Sequence, residues 1–95
     1  MATEYANEHA QSRYTMRVDG ELVAVLDYAA NQSEISLVRA FTPPNQRGKG
    51  YAGDLVAWVV DDIETNDTRK IVPMCSYVGA WFEHHPERAA LLTRS

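Results

Sequence analysis

The sequence predicts an α+β domain in which an antiparallel meander runs into a β-α-β unit and then a C-terminal helical segment. Three observations carry this. Apolar and polar residues alternate with period two from Tyr14 to Phe41, the pair Pro43-Pro44 ends that regime, and from Ala52 the apolar positions recur at helical spacing. At 95 residues the chain is one domain that buries only about two-thirds of its unfolded surface, so a ligand site is expected as a surface cleft. Residues 1–12 are polar, with few large apolar groups, and are expected to form a flexible tail before a single domain at 13–95.

The first strand is read at Tyr14 to Val18, with Tyr14, Met16 and Val18 on one face, and Asp19-Gly20 supplies a hairpin turn. Leu22, Ala24, Leu26 and Tyr28 continue the pattern to a turn at Asn31-Gln32-Ser33, after which Ile35, Leu37 and Phe41 alternate again. Two prolines cannot donate to a sheet ladder, so Pro43-Pro44 opens a loop. Ala52, Leu55, Val56, Val59, Val60 and Ile63 then mark one face of a helix from about Gly48 to Thr65. Arg69 to Met74 reads as a strand parallel to Ile35 to Phe41, because the crossover should be right-handed. A helix from Tyr77 to His84 ends at Pro86, and Glu87 to Leu92 forms a last short one.

Composition excludes several functions. A net charge of -4 has the wrong sign for neutralising nucleic-acid phosphates. One cysteine cannot form an internal disulfide, and a lone thiol suits a reducing compartment. No apolar run approaches the roughly 18 residues that span a bilayer, so a soluble cytoplasmic protein without membrane partners is expected. His84 and His85 diverge by about 100° on a helix and cannot share one ion, leaving no metal constellation.

The stretch Gln46-Arg47-Gly48-Lys49-Gly50-Tyr51-Ala52-Gly53, between a strand and a long helix, has the character of an anion site. Unpaired N–H groups and the positive dipole end meet there, and glycines let a pyrophosphate approach the backbone. Arg47 and Lys49 add positive charge. The competing view is a solvated turn whose glycines only relieve strain. A Walker loop fails, since no glycine lies five residues before Gly48 and Gly50 follows Lys49. Gly48-x-Gly50-x-x-Gly53 matches the dinucleotide fingerprint, yet five residues separate it from its strand and the next strand ends without an acidic residue.

What remains is Arg47-x-x-Gly50-x-Ala52, which resembles the pyrophosphate loop of the GNAT superfamily of acetyl-coenzyme A dependent N-acetyltransferases. Together with Phe41-Thr42-Pro43-Pro44, Val72-Pro73-Met74-Cys75-Ser76-Tyr77-Val78 and His85-Pro86-Glu87, it is similar to the minimal single-domain branch of that superfamily, from about Val18 to Leu92. The resemblance implies a mixed sheet whose two parallel strands, Ile35 to Thr42 and Arg69 to Met74, splay around the pantetheine arm. It implies acetyl-coenzyme A as cosubstrate, an amine acceptor, no metal, and a monomer or weak homodimer. Phe41, Thr42, Gln46, Arg47, Gly48, Lys49, Gly50, Tyr51, Ala52, Cys75 and Ser76 are the binding residues it points to.

Cys75 directly precedes a helix, where the dipole lowers a thiol pKa, and by resemblance it is the acyl acceptor. A lone buried cysteine that only packs is the equal alternative. Ser76 is expected to cap the helix. Trp81-Phe82 stand where the wider superfamily often has a tyrosine acid, and Arg39-Ala40 where the short branch often has His-Thr, which keeps a non-catalytic acyl-coenzyme A binding module as the second reading. Trp58, Trp81 and Phe82 are expected to pack the core or floor the cleft.

Overall fold

The computed structural model describes residues 2–94. Its elements are β1 (Thr3–Glu8), β2 (Arg13–Val18), β3 (Glu21–Ala30), β4 (Glu34–Phe41), α1 (Tyr51–Asn66), β5 (Lys70–Pro73) and α2 (Ser76–Glu83), followed by a 3-10 segment at Pro86–Leu92. The five strands form one sheet in sequence order, antiparallel from β1 to β4 and parallel between β4 and β5. The meander followed by β-α-β is therefore the observed topology.

Between β2 and β3, Asp19 and Gly20 take φ of 51° and 84°, the left-handed pair that a two-residue turn matching strand twist requires. Leu55, Val56, Val59, Val60 and Ile63 form the buried face of α1, and they close over Tyr14, Met16, Leu26, Ile35 and Leu37 from the sheet. Phe82 joins this core, while Trp58 and Trp81 pack against it half-buried.

Two expectations need correction here. The segment read as a flexible tail contains β1, paired over six residues with β2 from Thr3–Val18 to Glu8–Arg13. Tyr5 holds it to the helix layer by stacking on Trp58, with ring centroids 5.2 Å apart and planes 7° from parallel. Its other face is secured by Glu8, which accepts from Arg13 at 2.7 Å and Arg17 at 3.2 Å.

The second correction concerns Phe41. Asp27 pairs with Arg39 but Tyr28 pairs with Leu37, so Val38 is an extra residue bulged out of β4. Beyond it the alternation changes phase. Ala40 packs against the core, whereas Arg39 and Phe41 face outward, with the Arg39 guanidinium 5.2 Å from the Phe41 ring centroid.

Candidate functional site

The bulge also marks where the parallel strands part. The last β4–β5 pair is Leu37 with Pro73, and the Leu37 carbonyl then accepts two N–H groups, from Met74 at 3.1 Å and Cys75 at 3.0 Å. Beyond that point β4 and the chain after β5 have no shared ladder. Val38, Phe41, Met74 and Tyr77, the exposed large apolar residues, all belong to the segments that diverge there.

From the end of β4 the chain makes a 3-10 turn at Pro44–Gln46 and enters the glycine loop. Gly48 and Gly50 have φ of 82° and 80°, and Gly50 is the N-cap of α1. No side chain caps this end. The first N–H to find a helical acceptor is that of Asp54, bonded to the Gly50 carbonyl at 3.1 Å, so those of Tyr51, Ala52 and Gly53 precede the ladder. A Cβ at Gly48 or Gly50 would meet nothing within 4 Å, which shows that their backbone faces open space.

Thr42, Arg47, Gly48, Gly50, Tyr51 and Ala52, with Gln46 and Tyr77, line a cleft of 180 Å³ over this helix end. Gln46 is turned inward: its Nε2 donates to Glu21 Oε2 at 2.8 Å, and its Oε1 accepts from Lys49 Nζ at 3.2 Å. It anchors the loop to the start of β3 and ties down Lys49. Arg47 Nε donates to the Thr42 carbonyl at 3.3 Å, which folds that cation back over the loop. Phe41, Lys49, Cys75 and Ser76 lie outside the cleft lining.

Tyr77 was not among the residues the sequence assigned to this site. A Cβ on Gly53 would stand 3.3 Å from the Tyr77 hydroxyl, so Gly53 is the small residue that lets α2 approach the first turn of α1. A glycine on the packed first turn of a helix is the signal for such an approach, and the dinucleotide-like spacing obscured it.

Cys75, not Ser76, is the N-cap of α2, with extended backbone at φ -81° and ψ 132°; Ser76 is the first helical residue and is exposed. The helix begins one residue earlier than a serine cap requires because the Cys75 carbonyl already accepts the Gly79 N–H at 3.0 Å. The thiol is half-buried. Burial opposes its ionisation, but the backbone N–H groups of Val78, Ala40 and Tyr77 outweigh this and bring its pKa below the ordinary thiol value. Neither helix N–H makes a cap hydrogen bond to the sulfur, so their influence is that of an oriented dipole. The Ala40 contribution comes from β4, which puts the thiol at the parting of the strands.

The two histidines turn away from each other, His84 Nδ1 donating to the Ala80 carbonyl at 2.8 Å and His85 Nδ1 to that of Trp81 at 2.7 Å. Among the described residues no three His, Cys, Asp or Glu side chains converge on a common point. No described helix is long and apolar enough to cross a membrane.

The class this defines is an α+β domain with a mixed sheet and a bare helix end beside a parting parallel pair. Residues 13–91 match the family model for the GCN5-related N-acetyl-transferase, and the chain belongs to that family. A crystal structure of the ribosomal-protein-alanine N-acetyltransferase from Brucella melitensis biovar Abortus 2308 shares the fold, with a TM-score of 0.60 and 22% identity over 76% of this chain. The chain spans 58% of the length of that protein. A search of curated proteins gave no match.

Proposed function

We propose that the protein transfers the acetyl group of acetyl-coenzyme A to a primary amine of a small molecule or protein, with Cys75 carrying the acetyl group between them. The observation that carries this reading is the uncapped N-terminus of α1, whose free N–H groups and open Gly48 and Gly50 backbone suit a pyrophosphate. Acetyl-coenzyme A supplies an activated thioester carbonyl and a thiolate leaving group. Arg47, Gly48, Gly50, Tyr51 and Ala52 bind the phosphates, Gln46 holds the loop in register, and Phe41, Thr42 and Ser76 flank the path to Cys75. Lys49 supplies long-range positive charge. In this reading the protein acts in the cytoplasm as a monomer or weak homodimer, without metal, membrane or nucleic acid.

The Cys75 thiolate attacks the thioester carbonyl; its sulfur gains the acetyl group as the bond to the coenzyme sulfur breaks, and that sulfur leaves with the electron pair and takes a proton from solvent. The neutral amine then attacks the acetyl-cysteine carbonyl; the carbon–sulfur bond breaks, the Cys75 thiolate leaves with the electron pair, and the new amide nitrogen gives its proton to solvent. The net charge of -4 favours cationic acceptors such as lysine side chains or polyamines.

The runner-up, a non-catalytic acyl-coenzyme A binding module, has one observation in its favour. Phe82 is buried, and Trp81 is stacked on His85 at 3.9 Å, so the aromatic pair offers no proton to a leaving thiolate. Incubation with acetyl-coenzyme A alone should add one hydroxylamine-labile acetyl mass to the intact protein, and amines, peptides or polyamines should then release coenzyme A catalytically. Binding of coenzyme A with no thiol release for any acceptor would leave the binding-module reading standing.

A further inference from the structure

A second pocket, of 300 Å³, lies at the opposite end of the molecule, between the sheet and the C-terminal half of α1. It opens beside Ile35, at the start of β4, whereas the glycine cleft follows Phe41 at its end. Six residue steps along β4 separate these points, about 20 Å. Tyr14, Tyr28 and Trp58 form its aromatic part, with the Tyr14 and Tyr28 ring centroids 4.9 Å apart, and the rest of the wall is mostly polar and includes His9.

The polar groups in this pocket are unevenly satisfied. Tyr28 donates its hydroxyl to Asn7 Oδ1 at 2.8 Å. Arg69 is engaged by Asp67 at 2.7 Å and by the Asn31 carbonyl at 2.8 Å, so that cation is compensated. Asp62 is half-buried and accepts from Asn66 Nδ2 at 2.9 Å, and no Lys, Arg or His forms an ion pair with it among the described residues. Tyr14 is only 2% exposed, yet its hydroxyl has no hydrogen-bond partner there. Tyr14 and Asp62 line the same pocket; burial, and after it the negative charge of Asp62, raise the phenol pKa.

The Tyr14 oxygen is not among the buried atoms left without a partner, so it is reachable from the pocket and free to bond a ligand there. Here that hydroxyl opens into a cavity that also holds an uncompensated carboxylate and aromatic rings. An anion would be repelled by Asp62, and a neutral alcohol would leave its charge unmatched. A cation meets all three features, donating to Asp62 and to the Tyr14 oxygen while resting against aromatic surface.

We infer that this pocket is a binding site for a small organic ammonium ion, held by Asp62 and Tyr14 and distinct from the coenzyme A cleft. It is independent of the transferase reading, because Cys75 is not among the residues that line this pocket. Its occupant joins β2 and β3 to α1.

The test is a backbone and indole N–H NMR titration with butylammonium chloride, against sodium butyrate and sodium chloride at equal ionic strength. Saturable shifts are expected at the Trp58 indole, Asn7 and Asp62 with butylammonium only, and saturating coenzyme A should leave the affinity unchanged. Asp62→Asn, which keeps the Asn66 contact, should weaken binding at least tenfold, and Tyr14→Phe about fivefold, each with an otherwise native spectrum. The inference is overturned if sodium chloride gives the same shifts, if the responding residues are those of the glycine loop, if coenzyme A displaces the ammonium, or if both folded variants bind as the parent does.

Discussion

At its C-terminal end α1 is closed by Arg94, whose Nη2 donates to the carbonyls of Ile63 and Asp67 at 3.0 and 2.7 Å while Nε reaches that of Arg69 at 2.9 Å. At its N-terminal end, 15 residues earlier, no side chain donates or accepts, and glycines lead into the first turn. Both ends begin with the same physical deficit of unpaired backbone groups. One is filled by a cation that matches the negative dipole end, and the other is left for an anion from outside. The difference teaches that the closed end serves stability and the bare end serves binding, so damage to each should appear in a different measurement.

The largest expected effect lies on the chemistry beside the bare end. Cys75→Ala should lower acetyl transfer by at least about a hundredfold, with coenzyme A binding by calorimetry retained. Because the thiol pKa is lowered, alkylation of Cys75 by iodoacetamide should rise with pH to a midpoint below that of the same thiol in the unfolded chain. A Cys75→Ala enzyme that keeps most of its turnover would mean the amine attacks the thioester directly, and the cysteine would have a packing role alone.

Next comes the loop itself. Gly50→Val puts a β-branched residue at φ 80°, with a strain cost of about 1–3 kcal/mol, and sets methyl groups over the free N–H groups. Coenzyme A affinity should fall more than tenfold while the circular dichroism spectrum stays native. Tight binding of NAD by the parent protein, with none of coenzyme A, would reverse the assignment of this end.

How far the sequence disclosed this contrast varies by region. The meander and the β-α-β unit were legible because period-two and helical patterns are set by burial of one face. β1 was not, since Tyr5 is its one large anchor and its remaining residues look like a solvated tail. Nor was the bulge at Val38, because one extra residue shifts the phase without any change in composition, and it turned Phe41 outward against its expected face. At the site, the glycine loop announced itself by spacing, whereas the inward turn of Gln46 depends on Glu21, 25 residues away. Cys75 and Ser76 are both small polar residues at a strand–helix junction, and no local pattern decides which of them caps.

At the closed end, Arg94→Ala should remove three charge-assisted bonds to carbonyls and cost about 2 kcal/mol. Thermal unfolding should shift down by roughly 10 °C for a chain of this length. Coenzyme A affinity should be unchanged at a temperature where the variant is folded. A loss of affinity equal to that of Gly50→Val would dissolve the division of labour between the two ends.

The smallest effect is expected from Asp67, the C-cap residue of α1, whose carboxylate is held to about 2 first by its hydrogen bonds from the Arg69 side chain, against a smaller opposing effect of burial. A carboxyl whose pKa is depressed on folding stabilises the native state above its unfolded pKa of about 3.9, and the gain disappears as pH falls towards its folded value. Comparing Asp67→Asn with the parent, the melting temperatures should differ by a constant amount from about pH 5 upwards and converge between about pH 4 and 2. Because the pair is partly solvent-exposed, the plateau difference should be about 1 kcal/mol or less and should shrink with added salt. A gap that persisted unchanged at pH 2 would mean that the contribution of Asp67 does not come from the charge of its carboxylate.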